Sequence, residues 1–428
     1  MPGRCIVFVV SCAIAAGSAS AQDAVSRDSR AITVAEAVDE ALQHNLALMA
    51  QRSNLSIADA ALVAARLRPN PVVSVSADHL DWLGTGFDEA NNGGPTEIAA
   101  RVDVPLERGG KREARIAVAS FLKSAAEAQF ADAVRTLKND VTQASIDVMA
   151  AQAARALVAD NLHAFEALAR VNQARATAGS IAPFESTRSQ VAMLQFRSTM
   201  VRADLDLASA LSRLRTLLGR APGDPLALSD TLPTKPLPGG PDLSDLERLA
   251  IDTRPDLRAL QLSQARSTAD LRLQEALGKV DYLVGAEYRR QQGIAGKSNS
   301  VGMFFSAPLP ISNRNQGEIA RAAAERDQAA RQIAARRAEI LADVQSAYHE
   351  YATTRDMVAS IERDLLKPAT GIRDIASYTY GAGGSTLLDL LDAQRAFTDT
   401  MQSYVDARAS LRRAMARLNA AVGSEVVE

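Results

Sequence analysis

The sequence is poor in the residues that build most chemical sites: it has two cysteines, four histidines and one tryptophan among 428 residues. Both cysteines, Cys5 and Cys12, precede residue 22, where the mature chain is predicted to begin, so that chain is expected to lack disulfides and cysteine nucleophiles. The histidines lack the spacing of metal ligands, so no metal site is predicted: His44, His79, His163 and His349. Because no nucleophile elbow, phosphate loop or catalytic triad is present either, we predict neither an enzyme nor a bound cofactor.

Charge of one sign and long apolar runs are also scarce. The 48 lysines and arginines nearly balance the 50 aspartates and glutamates, which argues against a nucleic-acid partner. After Gln22 no apolar run approaches the ~20 residues that a membrane helix needs. Hydrophobic residues still make up 47% of the chain while aromatic residues make up 4%, and alanine supplies much of the difference. Function is therefore expected to come from architecture or from carboxylates.

The first 21 residues are predicted to be a secretory signal peptide. Met1–Arg4 carries one positive charge, Cys5–Gly17 is apolar, and Ala19–Ala21 is a small-residue cleavage site before Gln22. A lipoprotein signal, in which Cys12 would be acylated, is the alternative. Both interpretations predict that the protein is exported.

Two halves of the chain align at a constant offset of 204 residues. Gly179–Gln190 aligns with Gly383–Gln394, and the register continues without a gap to Gly219 and Gly423. Identical pairs in this register include Ala192 and Ala396, Ala203 and Ala407, Leu207 and Leu411, and Arg213 and Arg417. The pattern predicts a tandem duplication, with a first repeat over 22–219, a linker over 220–242, a second repeat over 243–423 and a tail over 424–428.

Each repeat is predicted to contain one very long helix and a second helix that returns along it. The first repeat has neither proline nor glycine between Lys111 and Thr177 and is rich in strong helix formers. We predict helices over 111–178 and 184–218, and over 314–380 and 387–422, the longest about 100 Å long. Pro368 interrupts the second long helix where the first has Ala164, so a kink or break is expected there. The small residues predict close-packed coiled-coil walls.

Four segments upstream of the long helices alternate between apolar and polar residues. They predict strands over 71–82, 96–105, 280–290 and 299–308, each with one apolar and one largely polar face. A small soluble sheet packed against helices is one interpretation. An exported chain without a membrane helix also suits an outer-membrane barrel, because a bilayer tolerates only helices and closed barrels. Four strands cannot close a barrel whose smallest known form has about eight, so this interpretation requires an oligomer.

The motifs as a set resemble those of the TolC-like outer-membrane efflux factors. Ile32–Asn45 is similar to the opening helix of that family, and Leu243–Leu257 is similar to its second copy. The resemblance implies a mainly α-helical tandem-repeat protomer with four strands. It further implies a homotrimer with a 12-stranded barrel in the outer membrane of a Gram-negative bacterium and a periplasmic helical barrel.

Two short segments resemble one branch of this family. Leu106–Arg112 and Pro308–Gly317 are most similar to the members that serve heavy-metal exporters of the cobalt-zinc-cadmium type. The resemblance implies a passive exit duct that works with a periplasmic adaptor protein and an inner-membrane RND-type pump, in contact with outer-membrane lipid. Drug or solvent efflux and type I secretion are the alternatives, and a periplasmic coiled-coil structural or adaptor protein is a further one.

The turns between the long and the returning helices are the predicted adaptor-contacting tips. By resemblance these tips comprise Gly179, Ser180 and Ile181 in the first repeat and Gly383, Gly384 and Ser385 in the second. Turn geometry alone would also explain the glycines, because glycine readily adopts positive φ.

Asp389 and Asp392 are the predicted pore constriction. At i and i+3 the two carboxylates share one helix face, and the resemblance aligns them with an acidic constriction near the pore entrance. Six carboxylates around one threefold axis would attract cations and repel anions. The alternative is that they only complement the helix dipole at its N-terminus.

Tyr380 and Glu185 are the predicted gate latch, again by resemblance. The family pattern places an arginine two residues after Gly383, where this chain has Ser385. Part of the latch is therefore missing, and the closed state is expected to be held in another way.

Overall fold

The computed structural model describes residues 31–80, 82, 84, 96–232, 241–293 and 296–427. The predicted signal peptide lies outside these residues. The helices are α1 (Val34–His44), α2 (Leu46–Arg66), α3 (Lys111–Thr177), α4 (Pro183–Leu218), α5 (Leu243–Thr253), α6 (Pro255–Leu277), α7 (Gln316–Ser360), α8 (Leu366–Gly381) and α9 (Leu387–Val422). The strands are β1 (Val72–Asp78), β2 (Thr96–Leu106), β3 (Tyr282–Gly293) and β4 (Gly296–Ser306).

The two repeats use the same construction where their short helices meet the returning helix. Asn45 links α1 to α2 and Arg254 links α5 to α6, with nearly identical backbone angles. Each side chain donates to a carbonyl near the end of a returning helix, Asn45 to Leu217 at 2.8 Å and Arg254 to Ala421 at 3.2 Å. The two junctions therefore share their backbone conformation and their contact with a returning helix.

A glycine ends each returning helix at this junction. Gly219 and Gly423 have φ of 70° and 89°, the left-handed conformation that glycine adopts most readily. A Cβ atom on Gly219 would lie 2.2 Å from the carbonyl oxygen of His44. Glycine is thus required there for the conformation and for the close approach of the α1–α2 junction.

Each repeat has its own hydrophobic core, and α9 contributes to both. Leu411, Ala414 and Leu418 of α9 belong to the core of the second repeat. Val405 and Ala409 instead lie in the core of the first repeat, together with residues of α3. The returning helix of the second repeat therefore ties the two repeats together. The described part of the predicted linker, residues 220–232, also contributes to the first core, through the buried Leu228 and Leu232.

The second long helix is interrupted as predicted. Residues Ile361–Leu365 form a π-helical turn between α7 and α8, and the N–H of Leu366 donates to the carbonyl of Ile361. Pro368 explains the change, because it lacks an N–H and its ring would collide with the carbonyl four residues earlier in a regular helix. In the first repeat α3 passes Ala164 without a break.

The strands form one antiparallel sheet in the order β1-β2-β3-β4. β1 is shorter than the predicted 71–82: it ends at Asp78, and His79 has a positive φ of 54°. The register places the predicted apolar residues on one face, where Val73 pairs with Val102 and Ala286 with Met303. This face is exposed, with Met303 and Val301 92% and 78% accessible.

The opposite face of the sheet carries charged side chains. Arg101 pairs with Asp103 at 2.8 Å, and Arg289 pairs with Glu97 at 2.8 Å and with Glu287 at 2.9 Å. Gly285 accommodates this arrangement, since a Cβ atom there would lie 2.2 Å from an oxygen of Asp103. The alternation predicted from the sequence thus separates an apolar face from a salt-bridged one. Among the helices that the structure describes, none is both long and apolar enough to cross a membrane.

Arg254 organises a buried charge network at the α5–α6 junction. It is 4% exposed and bonds to Asp256 at 2.7 Å and to Asp343 at 3.2 Å, while Arg336 bonds to Asp256 at 2.6 Å. Burial alone would raise the pKa of Asp256, but hydrogen bonds from the two arginines outweigh it and hold this pKa well below the ordinary range. The network joins α6 to α7 and to the end of α9.

Replacing Arg254 by alanine should destabilise the protein markedly. Removing Arg254 takes a charge-assisted hydrogen bond from the partly buried Asp256, which costs about 1.5–3 kcal/mol, while Arg336 still pairs with that carboxylate. The midpoint of thermal unfolding, followed by circular dichroism in detergent, should fall. Arg248→Ala is the control: Arg248 is 73% exposed and pairs with Asp245, and exposed pairs contribute about 0–1 kcal/mol.

The same network should confer a pH dependence. The folded-state pKa of Asp256 lies below its ordinary value of 3.8, so its stabilisation is fully present above that value and is lost as the pH falls through it toward the folded pKa. Arg254→Ala should lose less stability than the wild type between about pH 7 and about pH 3. Equal losses in both proteins would contradict the pairing.

Candidate functional site at the helical turns

The two turns that join the long and returning helices have the same backbone geometry. Gly179 and Gly383 adopt φ of 72° and 77°. In each turn the next residue donates its N–H to the carbonyl five residues earlier, at 2.8 Å for both Ser180 and Gly384. This is a Schellman-type helix end, in which glycine supplies the left-handed residue. Positive φ therefore explains these two glycines.

The predicted tip residues lie at the surface of the protomer. Gly179, Ser180, Gly383 and Gly384 are exposed, and Ile181 and Ser385 are half-buried. A Cβ atom on Gly179 or Gly383 would have no neighbour within 4 Å. The turns are therefore sterically open. Ser385 Oγ accepts a hydrogen bond from Thr379 at 3.0 Å, so it stabilises its own turn.

Asp389 caps α9. Its carboxylate accepts hydrogen bonds from the backbone N–H of Thr386 at 2.9 Å and from the hydroxyl of Thr386 at 2.7 Å. In return the N–H of Asp389 donates to that hydroxyl oxygen at 3.2 Å, which completes a capping box. The hydrogen bonds from Thr386 lower the pKa of Asp389, so it is ionised near neutral pH. Capping therefore accounts for its position at the start of the helix.

Asp392 lies one turn further along α9 and is held less tightly. Its side chain is 63% exposed, and its carboxylate lies 3.9 Å from Arg395. Asp392 and Arg395 line a groove of about 420 Å³ between α4 and α9, and Arg188 of α4 also lines it. The stacked rings of Phe165 and Phe196 also line the groove, with centroids 4.5 Å apart. Asp392 is thus free of the capping role that Asp389 fulfils.

Tyr380 makes a buried hydrogen bond to the first repeat. It is 8% exposed, and its hydroxyl donates to Oδ1 of Asn172 on α3 at 2.9 Å. The surrounding small core comprises Ala376, Leu387, Leu390 and Ala393, with Leu168 packed against it. Asn172 is fully buried, and its Nδ2 has no partner among the described residues. This hydrogen bond connects the end of α8 to α3.

Glu185 and Tyr380 form no hydrogen bond with each other in the described part of the protomer. Glu185 lies half-buried in the first turn of α4, and no hydrogen bond or ion pair of its carboxylate is present among the described residues. The structure brings Tyr380 to Asn172 instead. The role of Glu185 in a latch remains a prediction for the assembled channel.

Sequence reasoning missed the two asparagines on α3 that face the second repeat. Asn161 accepts a hydrogen bond from Gln394 of α9 at 2.9 Å, three helical turns from the Asn172–Tyr380 pair. Both asparagines are almost fully buried, and each has an unpaired Nδ2. They are two of several side-chain amides in α3, and only the fold shows which of these are buried and which side chains they meet.

Solved structures with this fold include outer-membrane channels. The chain superimposes on CusC, described in a study of its folding and transmembrane channel formation, with a TM-score of 0.74 over 92% of both chains at 18% identity. At this identity the likeness establishes the fold. It confirms the predicted fold class, a mainly α-helical tandem-repeat protomer that carries a four-stranded sheet.

The sequence identifies the family. The family described as "Outer membrane efflux protein" matches residues 37–220 and 246–424, one segment in each repeat. The chain belongs to the Outer membrane efflux protein family. This confirms the predicted resemblance, the outer-membrane location and the expectation of a conduit rather than an enzyme.

Curated relatives cover most of the chain at low identity. The cobalt-zinc-cadmium resistance protein CzcC of Cupriavidus metallidurans is 24% identical over 87% of this chain and 86% of its own length. Protein CyaE of Bordetella pertussis is 27% identical over 91% and 84%. The nickel-cobalt-cadmium resistance protein NccC of Alcaligenes xylosoxydans is 26% identical over 70% and 65%. Two of these three relatives are named for resistance to heavy metals.

Replacing Tyr380 by phenylalanine should loosen the end of α8. The change leaves the buried Oδ1 of Asn172 unpaired, and an unsatisfied buried polar group costs about 1–3 kcal/mol. Backbone amides of α8 should exchange with deuterium faster than in the wild type. Tyr378→Phe is the matched control, because Tyr378 is 78% exposed and lies two residues away.

A double variant tests the assignment further. In Tyr380→Phe/Asn172→Leu both polar partners are replaced by apolar groups, so exchange should be slower than in Tyr380→Phe alone. If Tyr380→Phe and Tyr378→Phe exchange alike, the hydrogen bond does not hold α8.

Proposed function

We propose that the protein is the outer-membrane exit duct of a tripartite efflux system, assembled as a homotrimer and gated at its helical turns. The observation that carries the proposal is the sheet, which exposes an apolar face and in which no described residue pairs with the outer edges of β1 and β4. Edges of this kind require partners, and an apolar face of this size requires an apolar environment. A barrel in the outer membrane provides both.

Three copies would supply twelve strands. An 11-residue strand such as β4 extends about 36 Å, and tilted by about 40° it rises about 28 Å, close to the apolar height of outer-membrane barrels. The helices that precede or follow a strand are α2, α3, α6 and α7. All four connect to the sheet at the end opposite the β1–β2 and β3–β4 connections. The helical part would therefore extend to one side of the membrane. Because the protein is predicted to be exported, we assign this side to the periplasm.

The internal duplication supports a closed ring. Val405 and Ala409 of α9 are buried against the first repeat, whereas their equivalents on α4, Val201 and Leu205, are 66% and 68% exposed. The α3–α9 contact within one chain thus has a counterpart surface on α4 that lacks a partner. A second copy, contributing its α7, would cover α4 in the same way, and repetition would close the ring.

The turns lie at the far end of the helices from the sheet. This position suits contact with a periplasmic adaptor protein, which would connect the duct to an inner-membrane RND-type pump. The open surface around Gly179–Ile181 and Gly383–Ser385 supports a docking role in addition to turn geometry. Asp389 and Asp392, three copies of each, would form an acidic constriction at the same end. Tyr380 and Glu185 are retained as latch residues, with Asn172 as a further partner of Tyr380.

Heavy-metal cations are the proposed substrates. The resemblance of Leu106–Arg112 and Pro308–Gly317 to the heavy-metal branch supports this choice, as do the names of CzcC and NccC. In the described residues no three histidine, cysteine, aspartate or glutamate side chains cluster to hold a metal ion. A duct needs only to let cations pass. Drug or solvent efflux and type I secretion are the alternatives, and family membership disfavours a periplasmic structural protein.

Neutralising the two aspartates should weaken cation selectivity. In planar bilayers, Asp389→Asn/Asp392→Asn should shift the reversal potential of a salt gradient toward zero relative to the wild type, because three copies lose six charges at one constriction. Asp245→Asn removes one charge per chain from a residue of α5 that is 63% exposed, and serves as the control. An unchanged reversal potential would leave Asp389 with capping alone and Asp392 without a pore role.

Deleting the gene in the bacterium that encodes the protein should separate the candidate substrates. We expect reduced growth in cobalt, zinc or cadmium salts, with drug tolerance and protein secretion unchanged. Restoration by the wild-type gene is the control. Lost tolerance to drugs with normal tolerance to metals would reject the metal assignment and keep the duct.

A further inference from the structure

The loop between β4 and α7 exposes two large aliphatic side chains. Leu309 and Ile311 are each 79% accessible, more than most apolar residues of the sheet. Such side chains seldom stand together in water unless they contact something else. The equivalent loop of the first repeat has Leu106 and Arg108 at these places, so the feature belongs to the second repeat alone.

The loop is held in this shape by its own hydrogen bonds. The N–H of Ile311 donates to the carbonyl of Leu309 at 2.9 Å, and Arg314 donates to Pro310 at 3.2 Å. Prolines at 308 and 310 fix two φ angles. The two aliphatic side chains are therefore presented outward by a defined backbone.

The loop continues from the apolar face of the sheet. Phe305 on that face packs edge-on against Tyr282 with centroids 5.1 Å apart, and the guanidinium of Arg108 lies 4.2 Å from the Tyr282 ring. Tyrosine and arginine at the end of an apolar face are typical of a membrane–water boundary. Leu309 and Ile311 follow Phe305 directly, so they lie at this boundary.

The charged side chains at the end of the sheet that carries the β4–α7 loop favour contact with an anionic surface. Three carboxylates at this end of the sheet are paired with cations, Glu107 with Arg115, Asp281 with Lys111 at 2.7 Å and Glu318 with Arg321 at 2.7 Å. Arg68 and Arg314 remain exposed. Arg314 belongs to the loop itself, and Arg68 lies in the α2–β1 connection, which enters the sheet at the same end. Exposed arginines at this end of an apolar face are suited to lipid phosphates.

We propose that the β4–α7 loop is a lipid anchor, in which Leu309 and Ile311 insert into the periplasmic leaflet of the outer membrane. Arg68 and Arg314 contact the anionic headgroups. The proposal rests on the proposed function, because it requires the sheet to lie in the bilayer. A trimer would carry three such anchors, one for each second repeat.

Tryptophan fluorescence in vesicles tests the anchor. Trp82→Phe removes the only native tryptophan, and Leu309→Trp or Ile311→Trp then introduces a reporter. The full-length variants are reconstituted in phosphatidylethanolamine–phosphatidylglycerol vesicles with brominated acyl chains, which quench tryptophan on contact. Met303→Trp, in the middle of the apolar sheet face, reports whether the sheet is in the bilayer. Leu46→Trp, at an exposed position of α2, is the aqueous control.

The anchor predicts quenching of the 309 and 311 reporters by bromines placed near the headgroup, quenching of the 303 reporter by deeper bromines, and none at 46. Quenching at 303 without quenching at 309 and 311 would overturn the anchor alone. If the loop reporters are then blue-shifted, a neighbouring protomer covers them. Absence of quenching at 303 would overturn the proposed membrane position of the sheet.

The arginines are tested in the Leu309→Trp background. Arg68→Gln/Arg314→Gln should reduce the quenching of this reporter more in vesicles that contain phosphatidylglycerol than in vesicles of phosphatidylethanolamine and phosphatidylcholine. An equal reduction, or none, would remove the headgroup contact from the proposal.

Discussion

The apolar face of the sheet is the constraint on which the rest of the molecule depends. Val301 and Met303 project from it, and no described residue covers them. A surface of this kind is stable only where water is absent, and in a bilayer the backbone groups of β1 and β4 must also find partners. Both the apolar environment and the strand partners must therefore come from outside the single chain. The charged face, where Arg289 joins Glu97 and Glu287, is consistent with an aqueous interior on the other side of the same strands.

Duplication supplies the scaffold, and the two repeats then depart from symmetry at a few residues. Asn45 and Arg254 occupy equivalent junctions and make equivalent contacts with the returning helices. At the turns the repeats differ. α9 begins with a capping box, whereas α4 begins with a proline and no side-chain cap. Tyr380, whose first-repeat equivalent is Ala176, connects the second repeat to α3 through a buried amide. The buried amides thus lie in the first repeat, and the groups that bond to them come from the second.

Local patterns in the sequence predicted the elements well, since strand alternation and uninterrupted helix formers act over neighbouring residues. The interruption near Pro368 followed from the chemistry of proline, although its π-helical form did not. The end of β1 at Asp78 was missed, because the apolar pattern continues past the point where the backbone turns. Contacts between repeats could not be predicted. Nothing local indicates that Asn172 meets Tyr380 across more than 200 residues. The cap that Asp389 forms with Thr386 is by contrast local, since the two residues have the spacing of a capping box.

The π-helical turn at Ile361–Leu365 has a consequence for the shape of the assembled mouth. In a ring of three protomers, straight hairpins built on α3 would alternate with hairpins that carry a joint between α7 and α8. A bend at this turn would bring the far ends of these hairpins toward the axis while their neighbours stay upright. The narrowed aperture would then be triangular rather than round, and three moving walls would change its width.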